Sequence, residues 1–192
     1  MPSPCENLKE YKAILQIAYL TKQYKVTSPF GYRYLSGNKL DDHPGIDVGA
    51  PYGVRFYIER DLANKCNVVA SYTPGNGNFF LINGEKYKIY VLHLAKIFEV
   101  KDTKSNIKYV GICNSTGLSE ANHFHFQFNL LSSGKAVDPI SVIVECGLGV
   151  TKASGTNTYG TPIYNIESTS NLNFNDPCGG KLIGKSMKEL CQ

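Results

Sequence analysis

The chain contains only four histidines, His43, His93, His123 and His125, and their spacing is its first chemical signal. The segment His123-Phe124-His125-Phe126-Gln127-Phe128-Asn129-Leu130 alternates polar with apolar residues. In a strand, His123, His125, Gln127 and Asn129 then share one face, and the phenylalanines share the other with Leu130. The aromatic face belongs in a core, so the two imidazoles look into a cleft or solvent. A second segment, His43-Pro44-Gly45-Ile46-Asp47, bends after its histidine and then returns a carboxylate. Two histidines and an aspartate are a usual donor set for catalytic zinc, with a fourth position left for water. One local pair plus a third donor from a distant strand suits such a centre. His93 lies in Tyr90-Val91-Leu92-His93-Leu94, where alternation would turn it the same way as Val91 and Ala95, unlike Leu92 and Leu94. Taken singly, each segment is weak, because H-x-H and H-x-x-x-D arise often by chance. Their weight comes from all four histidines falling within three segments on a β background.

That background is legible from Val26 onward. Strand-like pieces at Asn67 to Tyr72, Asn78 to Ile82, Tyr87 to Leu94 and Ile107 to Ile112 alternate with turn signals. The turns are Ser28-Pro29, Ser36-Gly37-Asn38, Pro74-Gly75-Asn76-Gly77 and Asn83-Gly84. The succession predicts a mainly β fold built on antiparallel strands. Thirteen Tyr and nine Phe lean the same way. Residues 6–21 are the exception. Leu8, Tyr11, Ile14, Leu15, Ile17 and Ala18 fall on one broad apolar stripe, which predicts a helix packed on the main domain. After Cys146 the composition shifts to Gly, Ser, Thr and Asn, the mark of a loose tail or small add-on. The expected organisation is a helical segment over 1–25, a β domain over 26–145 and an extension over 146–192. No internal repeat is present.

Composition excludes several functions. A chain of 192 residues, 42% hydrophobic and 19% charged, is an ordinary globular protein of about one domain. The net charge of +4 is mild: it suits contact with anionic polymers and equally suits an ordinary soluble protein. No block of Lys and Arg interleaved with aromatics supports nucleic-acid binding. No run approaches the roughly 20 apolar residues of a membrane span; the best, Ala13 to Leu20, is short and holds Gln16. Glu6 and Glu10 stand where a secretory signal would carry basic residues, so no signal peptide is expected in this chain. Six cysteines include no C-x-x-C pair. Cys178 and Cys191 flank a short basic segment and could bridge locally; buried free thiols in a reducing compartment are the alternative.

Taken together, these residues resemble the lysostaphin/LytM-type zinc endopeptidases of bacterial cell walls. Thr27-Ser28-Pro29-Phe30-Gly31-Tyr32-Arg33 is similar to that family's opening motif, and His43 to Pro51 to its H-x-G-x-D segment. Pro74 to Asn78 resembles its glycine turn, and Leu92-His93-Leu94 its H-L element. Gly111 to Gly117, with Ser115-Thr116-Gly117, resembles the turn before the H-x-H strand, and Val137-Asp138-Pro139 the close of the domain. The likeness runs in order over residues 26–145. It implies a compact antiparallel β-sheet fold of the duplicated hybrid motif type, with a metal-floored groove. It also implies one zinc ion per chain on His43, Asp47 and His125, and His93 and His123 as catalytic histidines beside it. Phe124 stands where Leu is common and Gln127 where Glu is common, and neither is a ligand. Asn114 replaces a frequent Gly, and Asn tolerates left-handed backbone angles. Residues 55–66, the N-terminal helix and the chain after Cys146 match poorly.

The implied activity is hydrolysis of peptide stems or cross-bridges of peptidoglycan, in the cell envelope (periplasmic or secreted) or in a phage particle. Loops near Tyr32 to Lys39 and Glu99 to Asn106 are expected to choose the bond. The presence of cysteines favours a D-Ala to diamino-acid cross-link over a glycine bridge. No glutamate lies in an H-E-x-x-H helix, so the base falls to His93 or His123. Two other readings remain. A facial triad of a non-haem iron oxygenase uses the same donors but leaves His93 and His123 idle. A latent or non-catalytic metal-containing module would arise if the helix or the tail blocked the groove. Nothing in the sequence fixes the oligomeric state.

Overall fold

The computed structural model describes residues 2–156, 160 and 162–167. Chain order begins with helix α1 (Tyr11–Gln23), followed by β1 (Lys25–Ser28), β2 (Gly31–Leu35), β3 (Lys39–His43), β4 (Ile46–Gly49) and β5 (Arg55–Glu59). A short helix α2 (Arg60–Lys65) precedes β6 (Asn67–Thr73), β7 (Gly77–Asn83), β8 (Tyr87–Glu99) and β9 (Ile107–Cys113). Then come β10 (Phe124–Leu130), β11 (Ala136–Val137), helix α3 (Pro139–Glu145), β12 (Val150–Thr156) and β13 (Pro162–Glu167).

The main sheet runs β12-β13-β1-β4-β10-β8-β7-β6, with β11 beside β10 and the β5–β9 pair joined through β9 to β8. Every pairing is antiparallel, as the turn-punctuated sequence predicts. β8 is the pivot. Its first half lies between β7 and β10, and its second half pairs with β9. β2 and β3 pair only with each other, as a separate hairpin.

Alternation in β10 works as expected. Phe124, Phe126 and Phe128 are fully buried in the main core, where Phe56 lies 5.9 Å from the Phe126 ring. Burial of each such ring contributes about 1.5–3 kcal/mol. The same core takes in Ile14 and Ile17 of α1. Because the rings and His125 project from opposite faces of β10, α1 is embedded in the core rather than laid over the histidines. That is a finding against a cleft blocked by this helix. The helix starts at Tyr11 rather than at residue 6. Glu10, at its N-cap, makes no cap hydrogen bond; its buried carboxylate instead accepts the backbone N–H groups of Glu85, Lys86 and Tyr87 at 2.8–2.9 Å. Gln16 binds both the N–H and the carbonyl of Tyr57 at 2.8 Å, fixing α1 against β5. Asp138 caps α3 through the Ile140 N–H at 2.9 Å, with Pro139 in the first turn, which explains the Asp-Pro pair physically.

Of the loose tail or small add-on expected after Cys146, the described part is the latter. β12 and β13 form a hairpin that joins the sheet through Val26 and Tyr164. A disulfide links Cys5 to Cys146, whereas Cys66 and Cys113 are buried free thiols. The expected Cys178–Cys191 bridge lies outside the described residues. Among the described residues, no helix is long and apolar enough to cross a membrane.

Candidate metal centre

Strand register brings the first two donors together: Asp47 of β4 is the direct partner of His125 on β10. His43 ends β3, and the Pro44-Gly45 bend swings it back over the same point. Gly45 is required for this approach, because a Cβ there would collide with the Phe126 carbonyl oxygen and crowd His125 Nε2. His125 Nδ1 lies 3.0 Å from Asp47 Oδ1 and 3.1 Å from His43 Nε2, and His43 Nε2 lies 3.3 Å from Asp47 Oδ1. Donors about 2.0–2.1 Å from a tetrahedral zinc stand about 3.3–3.4 Å apart, so this triangle is close to a coordination face. These three residues form a cluster that could hold a metal ion.

Backbone carbonyls orient three of the other ring nitrogens. His43 Nδ1 donates to Pro29 O at 2.8 Å, His93 Nδ1 to Thr116 O at 2.8 Å and His123 Nδ1 to Ala121 O at 2.7 Å. A carbonyl can only accept, so in each neutral ring Nε2 keeps the lone pair. His123 Nε2 stands 3.4 Å from Asp47 Oδ1, and the His93 ring centre is 4.9 Å from that of His123. All five residues singled out from sequence therefore meet in one place.

His93 gets there by a route that alternation does not predict. It has φ of 64° and sits at a bulge, where Val91 pairs with Phe80 but Leu94 pairs with Asn78. Val91 and Leu94 both enter the core, so the expected grouping of Leu94 with Leu92, opposite Val91, fails. The extra residue in β8 shifts the faces.

Electrostatics follow from burial and from Asp47. Burial would raise the Asp47 carboxyl, but hydrogen bonds from His123, His125 and His43 outweigh it and hold the group well below the usual carboxylate range. Burial and then the neighbouring His123 push His93 down to about 4, leaving a neutral imidazole at pH 7. Burial also lowers His125 despite Asp47. In His123 burial acts downward, but the bond and charge of Asp47 carry the net shift upward.

Two further expectations are corrected. The turn over Glu99 to Asn106 does not border the centre. Leu94 and Cys113 mark the near end of the β8–β9 ladder, and Glu99 and Tyr109 the far end. At roughly 3.3 Å per residue that is about 17 Å away along the strand. Its backbone carbonyls instead bind Arg60. The nearby wall is made by the turns at 74–77 and 114–118, where Leu118 N donates to Gly75 O at 2.9 Å. Asn114 takes no left-handed angle; it forms a bridge to His123. Arg33, inside the opening motif, was not among the residues singled out from sequence, yet it reaches the centre. Its guanidinium binds Asp47 Oδ2 at 3.0 Å.

No protein-family model matches the chain. Among curated proteins, it is similar to the glycyl-glycine endopeptidase ALE-1 of Staphylococcus capitis, with 33% identity over 157 aligned residues covering 71% of this chain and 43% of that protein. It is also similar to lysostaphin of Staphylococcus simulans, with 30% identity over 162 residues covering 71% of this chain and 32% of that protein. The chain thus spans less than half the length of these curated relatives. Among solved structures, the catalytic domain of Staphylococcus simulans lysostaphin aligns at 25% identity with a TM-score of 0.48, covering 66% of this chain and 97% of that one. With the ordered motifs of residues 26–145, the two curated relatives show that the chain belongs to the lysostaphin/LytM-type family of zinc metallopeptidases.

Proposed function

We propose that this chain is a zinc-dependent endopeptidase that hydrolyses peptide cross-links of bacterial peptidoglycan. His43, Asp47 and His125 hold one zinc ion per chain, and His93 and His123 are the catalytic histidines. The carrying observation is the donor triangle of 3.0, 3.1 and 3.3 Å with two further imidazoles beside it. When bound there, zinc supplies Lewis acidity, which brings the pKa of a bound water towards about 7 and polarises a carbonyl. The chain's own groups do the rest. Beside Asp47 and the two ligand imidazoles stand His93 and His123. Each of these presents Nε2, because its Nδ1–H is given to a carbonyl. One of them takes at Nε2 the proton lost by the attacking water, and the Nε2–H of that imidazolium can then donate to the oxyanion of the tetrahedral intermediate. The iron-oxygenase reading leaves both of these imidazoles without a task.

Two substrates remain in play for the bond itself. The cysteine content favoured a D-Ala to diamino-acid cross-link, and the Cys5–Cys146 bridge supports an oxidising compartment, in the cell envelope or a phage particle. The glycyl-glycine activity named for the first relative favours a glycine bridge. Both types of sacculi, directly cross-linked and glycine-bridged, are digested with and without a chelator, and the released fragments are identified by mass spectrometry. Loss of cross-linked species, abolished by chelation and restored by zinc, is expected, and the fragments name the bond. Intact sacculi of both types despite one bound zinc per chain would replace the enzyme reading with that of a non-catalytic wall-binding module.

A further inference from the structure

We infer that Arg33 is the positioning residue of this centre: it holds Asp47 as a one-oxygen donor and fastens the aromatic β2–β3 hairpin to that carboxylate. The inference rests on the reading of His43, Asp47 and His125 as zinc ligands and deepens it.

Asp47 divides its oxygens between two tasks. Oδ1 faces three imidazoles, at 3.0 Å from His125, 3.3 Å from His43 and 3.4 Å from His123. Oδ2 turns the other way and accepts from Arg33 Nη1 at 3.0 Å. That charge-assisted bond occupies the second oxygen and sets the rotation of the carboxylate, so that only Oδ1 is presented to the cation.

The guanidinium is itself held at several points. Nη1 also donates to Ser28 Oγ, and Nε donates to Asp41 Oδ2 at 2.8 Å. Ser28 is the register partner of Asp47 across β1 and β4, and Asp41 is the register partner of Arg33 across β2 and β3. One planar group on β2 therefore joins β1, β3 and β4. It is 19% exposed, which limits screening by water.

Because β2 and β3 pair with no other strand, the hairpin depends on such tethers for its placement. It carries Tyr32, Tyr34 and Leu40 at 75%, 56% and 55% exposure, a surface suited to contact with substrate. Through Arg33, the position of that surface and the orientation of the metal-binding carboxylate are set together. A lysine could neutralise Asp47 but could not span Asp41 and Asp47 in one plane.

The test uses the full chain with the substitutions Arg33→Lys, Arg33→Gln, Asp41→Asn and Asp47→Ala. Zinc affinity is measured by competition with a chromogenic chelator, the visible bands are recorded after cobalt substitution, and the melting midpoint is taken without metal. Both Arg33 variants are expected to weaken zinc about 10–100-fold and to shift the cobalt bands. Asp41→Asn, which loosens the guanidinium without touching Asp47, should give a smaller loss in the same direction. A lowered midpoint with unchanged zinc affinity and cobalt bands would mean a merely structural arginine and overturns the inference. If the Arg33 variants fail to fold, parental affinity in Asp41→Asn overturns it equally. Asp47→Ala separates the two levels: if it keeps parental zinc affinity, the ligand reading itself fails. If it loses zinc while the Arg33 variants do not, only the role of Arg33 falls.

Discussion

Asp47 meets three imidazoles through a single oxygen, yet the three are not equivalent. His43 and His125 bring ring nitrogens to 3.1 Å of each other, a distance at which two lone pairs repel unless a proton or a cation lies between them. His123 reaches the same oxygen from the side, and its ring neighbours His93 instead. On the proposed reading, this asymmetry separates the residues that hold the metal from those that move protons. His123→Ala is expected to leave zinc at one per chain while cutting turnover about 100- to 10,000-fold. His43→Ala is expected to lose both. Metal analysis beside a rate assay checks the pair, and near-normal turnover in His123→Ala would reverse the assignment. At this scale much was legible in the sequence. The alternation around His125 identified its partner face because β10 is a regular strand. Arg33 was not legible, because its contacts cross three strands and leave no local period to read.

At the scale of elements, the placement of His93, the proposed catalytic residue, depends on the bulge in β8. His93 holds a positive φ that a non-glycine residue adopts only when its surroundings enforce it. Asn78 Nδ2 donates to Leu94 O and Ala95 O at 3.2 and 2.9 Å, spanning the chain just past the bulge. Thr116 Oγ1 donates to Leu94 O at 2.5 Å and accepts the Asn78 N–H at 3.2 Å, while its carbonyl orients His93. Gly77 and Gly117 permit this contact, since a Cβ on either would collide with the facing turn. Thr116→Val keeps the shape but deprives the Asn78 N–H of its acceptor, at a cost of about 1–3 kcal/mol. Turnover should fall with zinc affinity unchanged, because none of the three donors is touched. Parallel melting, rate and zinc-binding measurements test this, and an unaltered rate would free His93 from the bulge. Such supports are invisible to periodicity: a bulge adds one residue to a count, and only non-local hydrogen bonds say where. The β12–β13 hairpin was hidden for a related reason. Its Gly, Ser and Thr content reads as loop until Val26 supplies the neighbouring strand.

On the scale of the whole molecule, the stretch before α1 and the end of α3 are tied together on the core side of the sheet. α1 buries Ala13, Ile14, Ile17 and Ala18 in the core it shares with the β10 phenylalanines, and Cys5 just before it is bonded to Cys146 just after α3. The bridge closes a loop with a sequence separation of 141 residues, and in the chain-entropy view it restricts the unfolded ensemble by about 5 kcal/mol at most. Removal of such bridges from native proteins typically costs about 2–5 kcal/mol. For a domain of this size each kcal/mol moves the melting midpoint by about 2–4 °C. Cys5→Ser and Cys146→Ser should therefore melt some 5–15 °C below the parent on these scales. A reductant should bring the parent down to the same midpoint and leave both variants where they are. Cys66 and Cys113 provide an internal control. Burial pushes their thiols up to about 11 and about 12, so the reactive thiolate is almost absent at pH 8. Mapped by mass spectrometry, alkylation at these two positions should begin only at the melting transition, and at a lower temperature in the serine variants. Zinc affinity should stay at the parental value throughout, because the bridge anchors the helical side of the core and the donors stand on the other. A fall in zinc affinity on reduction, well below the melting midpoint, would show instead that the bridged segments and the centre are energetically one unit.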